Sequence, residues 1–393
     1  MPDIRTCIQT GLGESPQADA FADQLRNIED IDGLIALREQ VALQKRQAVL
    51  QAQKISLAQK AMLGDARGAH VALSSMLGRD VYGEGRGLNI DFRKKAITHD
   101  MQAIFSEPMI AMGPRAFDFL RKESDAPERL VRALYGDTSD PRLNTYAKAW
   151  RETAEYARQR FNEAGGNIKK REDWNLPQSH ERAKVAEATA DEWIDFIYDK
   201  IDLDEFKDFS GRPLQEGEIR EVLEGIYDAI RTDGFSRQDP TVLPPRGGKK
   251  LANKYQEHRV LQFKDADSWL EYQGRFGQDD IYGTLTSHME MMAHEISLLE
   301  TFGPNPNLAY KQLLQQAKAI DESSGIGYNA GYVDGLWKTV SGQSESIANV
   351  RASDWGSNTR NLLTAAQLGS ALISAISDRA FSKMTRDFNG VTE

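Results

Sequence analysis

The stretch His258–Gly277, HRVLQFKDADSWLEYQGRFG, sets the reading of the whole chain. A short β-prone run, Val260 to Phe263, gives way to Asp265, whose side chain is of the type that caps a helix N-terminus. Behind it Trp269, Tyr272 and Phe276 recur at steps of three and four, the spacing of one helical face. Phe263 and Trp269 are therefore expected to be buried together, with Asp265 or Asp267 as the cap. A brief extended entry followed by an amphipathic helix is the pattern of a helical protein with little β structure.

Outward from this segment the helical period dominates. Leu34, Val41, Ala48, Ile55 and Met62 recur every seven residues, with Leu37 and Ala52 in the alternate seam, a narrow stripe of coiled-coil type. Gln44, Gln47, Gln51, Lys45, Arg46 and Lys54 cover the other faces and suit water or a polar partner. This helix reads as one arm of an intramolecular hairpin, or as an interface between subunits. Asp140–Pro141 opens a further helix, with Leu143, Tyr146, Trp150, Ala154, Ala157 and Phe161 as its stripe and Gly165–Gly166 as its stop. Residues 167–184, which hold Trp174, Pro177 and His180, read as loop, and Trp174 and His180 join the aromatic residues above as ordering positions. Helices are expected at 189–201, 216–232, 279–302, 307–320 and 358–388. Gly325, Gly327 and Gly331 read as a flexible junction. The organisation this implies is an elongated, mainly α, multi-helix protein with coiled-coil-like helices. It would comprise an N-terminal helical domain (1–165), a linker with small acidic helices (166–250) and a C-terminal helical domain (251–393).

Composition narrows the chemistry. The 393 residues are 40% apolar and 27% charged with a net charge of -10, so the chain as a whole has no basic nucleic-acid footprint. One cysteine, Cys7, leaves no internal disulfide and no multi-cysteine zinc site. The N-terminus shows no apolar core of a secretory signal. The run Leu362–Ser377 has small residues four apart (Ala366, Ser370, Ser374), which lets helix backbones approach closely in a core or subunit interface, with membrane contact as the minority reading. At about 24 Å of helix it falls short of a roughly 30 Å hydrocarbon layer.

Motif by motif, catalytic readings fail. His288 and His294, six positions apart, stand about 120° apart around a helix, whereas a two-histidine clamp needs ligands three or four positions apart. Leu298 interrupts the HExxH pattern that His294–Glu295 begins, and Gly83, Gly85 and Gly87 lack the GK[ST] ending of a phosphate loop. No cofactor is implied. Arg237, Arg246, Lys249, Lys250, Lys254 and Arg259 form the densest positive cluster, read as a solvated loop or as a contact to phosphate or an acidic partner surface.

Four passages together resemble internal virion (ejection) proteins of short-tailed phages and related prophage-encoded large proteins. They are WRETAEYARQRFNEAGGNIKKREDWNLPQSH (150–180), His258–Gly277, MAHEISLLETFGPNP (292–306) and LGSALISAISDRAFSKMTRDFNG (368–390). The resemblance runs from about residue 115 to the C-terminus. It implies a helical component carried inside the capsid in several copies beside portal or other ejection proteins. Released with the genome, it would help form a conduit in the host envelope, with possible DNA contact. Two alternatives remain open: a peptidoglycan-cleaving or nucleic-acid-acting enzyme module with a dispersed site, and a nucleic-acid-binding accessory protein.

Overall fold

Helices built around interrupted apolar stripes account for nearly all regular structure in the computed structural model, which describes residues 31–78, 87–112, 125–170, 176–206, 212–231, 261–277 and 281–341. Outside the described residues lie Trp174, the cationic residues Arg237 to Arg259, Gly83 and Gly85, the run Leu362–Ser377 and the expected helix at 358–388. The described helices are α1 (Ile31–Leu63), α2 (Ala69–Leu77), α3 (Ile90–Met112), α4 (Ala126–Leu134), α5 (Pro141–Glu163) and α6 (Arg182–Glu187). They continue with α7 (Ala190–Tyr198), α8 (Glu216–Arg231), α9 (Ala266–Phe276), α10 (Ile281–Phe302), α11 (Pro306–Ser323) and α12 (Ala330–Val340). Among the described residues the β pairing is one antiparallel bridge, Ile201 with Phe263. The protein is mainly α.

Local chemistry sets many helix ends. Asp140 accepts the Arg142 amide ahead of Pro141. Thr189 and Glu192 close a reciprocal capping box on α7, and Asn305 caps α11 ahead of Pro306. Gly165 and Gly303, both in the left-handed region (φ 109° and 84°), end α5 and α10.

Two apolar clusters share α10. The larger gathers Trp150 and Phe161 of α5, Ile97 and Met101 of α3, Trp193 of α7, Trp269 and Tyr272 of α9, and Leu285 to Leu299 of α10. It draws on residues from either side of positions 165 and 250. The smaller joins Ala58 and Met62 of α1, Leu73 of α2, Leu298 and Phe302 of α10, Tyr310 and Leu313 of α11, and Val333 and Trp337 of α12. There the Trp337 indole stacks on Tyr310, centroids 4.3 Å apart and planes within 6°.

Helix α1 departs from the seven-residue stripe. Met62 is buried, Val41 and Ile55 are half-buried and Ala48 is exposed, while the side chains of Leu34 and Leu37 fall outside the described set. A straight α-helix drifts about 20° per heptad against a 3.5-residue repeat, so such a stripe turns off its neighbour along its length. The inward face is instead Gln47, Gln51, Lys54, Ala58 and Met62, with Gln47 at 1% exposure. Two of its glutamines work as clamps. Gln47 Nε2 donates to the Gly165 carbonyl (2.9 Å) and Gln51 Nε2 to the Phe302 carbonyl (2.6 Å), while Gln51 Oε1 accepts the Asn305 amide (2.7 Å). The glutamine face that suited water or a polar partner thus meets the polar backbone of two helix ends.

The junction at Gly325, Gly327 and Gly331 also resolves differently. Gly325 takes positive φ, but Gly331 lies inside α12, whose N-terminus Asn329 caps by accepting the Tyr332 amide. Burying Val333 and Trp337 outweighs the roughly 1 kcal/mol that a helical glycine costs.

A side chain at Gly303 would be strained by its φ, and its Cβ would lie 2.9 Å from Gln51 Nε2. Gly303→Ala should therefore destabilise the protein by about 1–3 kcal/mol, read from the urea midpoint, whereas Gly217→Ala, where a Cβ meets nothing within 4 Å, should not.

Candidate functional site

Side chains that sequence reading singled out meet where residues 176–184 cross α9. Asp265 accepts the Ser268 amide at 2.7 Å and heads the helix. Burial alone would push its carboxyl up; the Ser268 bonds and the nearby Lys264 and Lys200 more than offset this and hold it below the usual carboxylate range. Trp269, Tyr272 and Phe276 are all at 2% exposure or less, and Phe263 packs on Tyr272 with centroids 5.0 Å apart. Phe263 and Trp269 lie in the same cluster.

The crossing segment is tied to α9 and its flanks residue after residue. Trp269 Nε1 donates to Pro177 O (3.2 Å), Gln178 Nε2 to Leu261 O (2.9 Å), and Gln273 Nε2 to Ser179 Oγ. His180 Nδ1 bonds the Tyr272 hydroxyl at 2.7 Å, the Glu181 amide donates to Phe276 O (2.7 Å), and Lys184 Nζ to Gly277 O (2.8 Å). Burial drives the His180 ring down to about 4 and pushes the Tyr272 phenol well above its ordinary range. Ser179, Gln273 and Thr284, which complete this junction, carried no sequence signal. They are small or neutral polar residues, and their partners lie as many as 105 residues away.

A second cluster forms where α1, α3, α5 and α10 converge. Glu300 accepts Arg160 Nε at 2.8 Å and Arg93 Nη1 at 2.7 Å. Arg160 also reaches Asp100 (3.1 Å), which accepts the Tyr156 hydroxyl (2.9 Å). Burial would raise the Glu300 carboxyl, yet the two guanidinium groups hold it below the usual range. Lys54, partly buried beside Arg93, is pushed down by burial first and then by that guanidinium. Each side chain alone looks like an ordinary solvated helix residue.

A third polar knot pins α2 to α11. Asp321, with no exposed surface, accepts the amides of Ala69 (2.6 Å) and His70 (3.0 Å) and bonds His70 Nδ1 (2.7 Å). A carboxylate at the C-terminal end of one helix thereby caps the N-terminus of another. His288 stands edge-on to Trp150, centroids 5.9 Å apart. Among the described residues no group of three or more His, Cys, Asp or Glu is placed to hold a metal ion. Nor, among them, is any helix long and apolar enough to cross a membrane.

Compared with protein-family models, with curated proteins and with solved structures, the chain finds no match.

Glu300→Gln would remove the carboxylate that two partly buried guanidinium groups share, leaving Arg160 with Asp100 and Arg93 without an acid partner among the described contacts. We predict a loss of about 1–3 kcal/mol in denaturant stability, since stranding a charge costs more than the exposed pairs of the surface contribute. Lys95→Gln, on the exposed Lys95–Asp91 pair, should change stability by less than about 0.5 kcal/mol in the same assay.

Proposed function

We propose that the chain is a structural component of a phage particle, an internal virion (ejection) protein that acts by assembling in several copies and not by turnover. The observation that carries this reading is the outward face of α1. Over this 33-residue helix Ile35, Val49 and Leu63 stand 14 residues apart and are 50%, 59% and 69% exposed. Fourteen residues fall about 40° short of four helical turns, so the three side chains spread over about 80° of the outward face. Large apolar residues strung along a solvent-facing helix suit burial against a neighbour. The family-like passages at 150–180, 258–277, 292–306 and 368–390 point to the same class of protein. On this reading the protein lies inside the capsid next to portal or other ejection proteins and is released with the genome towards the host envelope.

Mass spectrometry of purified particles should recover peptides of this chain at several copies per portal. Light scattering on the isolated protein should give a multimer that Val49→Glu with Leu63→Glu converts to monomer at unchanged helical content. Particles devoid of the protein, together with a wild-type chain that stays monomeric at high concentration, would end the proposal.

A further inference from the structure

We infer that the crossing of residues 176–184 over α9 is an acid-sensitive clasp, which opens when His180 takes up a proton while the core formed by α3, α5 and α10 stays closed. This inference is independent of the assembly reading.

The geometry carries it. His180 is held by one hydrogen bond to the Tyr272 hydroxyl, with its ring edge-on to the Tyr272 ring at 5.6 Å. Behind Tyr272 stand Trp193 (6.4 Å), Phe263 (5.0 Å) and Phe276 (5.6 Å), an aromatic wall that offers a cation no oxygen acceptor. In the neutral ring, Nδ1 and the hydroxyl share one hydrogen between them. Once both ring nitrogens are protonated, Nδ1 can only donate, and the hydroxyl hydrogen must turn away into that wall. His180 itself is half-buried, and no hydrogen bond between its Nε2 and another described residue accompanies the one at Nδ1, which leaves water as the partner of a second N–H.

Among the described residues, most acids on the packed elements are already engaged. On the surrounding elements, Glu271 is paired with Lys200 (3.0 Å), Asp267 with Arg132 (2.9 Å), and Glu192 is engaged in the α7 capping box. The Arg275 guanidinium lies over the Phe196 and Phe276 rings, Lys184 holds Gly277 O, and the Tyr227 hydroxyl donates to Ala188 O. Tyr282 on α10 packs against the same apolar cluster, Glu181 and Arg182 adjoin the ring in sequence, and burial is the cause that moves the His180 ring, bringing it to about 4.

The sign follows from linkage. The closed clasp holds the ring neutral, and the open one lets it titrate near 6.5. Closure is therefore at full strength above about pH 6.5, weakens as the pH falls towards 4, and loses no more below that. Between pH 8 and pH 5 the closed-to-open ratio should fall by about thirtyfold.

Hydrogen–deuterium exchange from pH 8 to pH 5, corrected for intrinsic rates, tests this on the full chain. Peptides covering 176–187 and 261–277 should lose at least tenfold in protection, while peptides from α5 and α10 keep theirs. His180→Asn should remove that pH dependence, and Tyr272→Phe, which deletes the hydroxyl that the protonated ring disturbs, should weaken it. Equal losses in all four peptides, no loss in any, or an unchanged slope in His180→Asn would overturn the clasp. Should His180→Asn fail to fold, exchange of the His180 C2 hydrogen in the wild type decides: a midpoint well below 6 supports the clasp, and one near 6.5 rejects it.

Discussion

The carbonyl groups at a helix's last turn have no partner within the helix, and in this protein two such ends are closed by side chains of a third helix. Gln47 meets Gly165 O, Gln51 takes both Phe302 O and the Asn305 amide, and Arg46 reaches Asn162 O and Glu163 O. The C-termini of α5 and α10 are thereby drawn to one face of α1. Both turns need glycine in the left-handed region, and both glycines sit against their neighbours: a Cβ on Gly165 would lie 2.6 Å from Pro304 Cγ. Small residues and long amides thus make one joint, and the Glu300 cluster forms a turn away from it.

That joint explains how two apolar clusters act within one chain. Leu285 to Leu299 of α10 fill the larger, and Leu298 with Phe302 enter the smaller. Fixing the end of α10 against α1 sets the register of both. The Asp321 knot then orients α2 against α11 within the smaller cluster. In each case a buried polar group is satisfied by backbone from a distant segment, which specifies one arrangement where apolar contact alone would allow several.

Much of the helical content was readable because its causes are local. Asp140 before Pro141, Asn305 before Pro306 and Asp265 before α9 each act within three residues of themselves. The stripe from Leu143 to Phe161 likewise faces inward, with only Ala154 and its neighbours partly exposed. Helix α1 was legible as a helix but not in its orientation, since glutamine side chains look solvated until the carbonyls they serve, 118 and 251 residues away, are in place. Helix α3 has a weaker signature: Ile90, Ile97 and Met101 share a face, but no regular stripe frames them, and Arg93 and Asp100 of the charge cluster lie on it. Its partners on α5 and α10 carry no spacing signature, because a cluster assembled from four helices leaves no motif in any of them.

The most direct measurement is native-state hydrogen exchange on the protein carrying Gln47→Ala and Gln51→Ala. If α1 closes the two helix ends, protection at 161–168 and 299–305 should fall together with that of α11 and α12, by an amount matching the loss of global stability. Protection lost within α1 alone, with α5, α10 and the smaller cluster unchanged, would contradict the account.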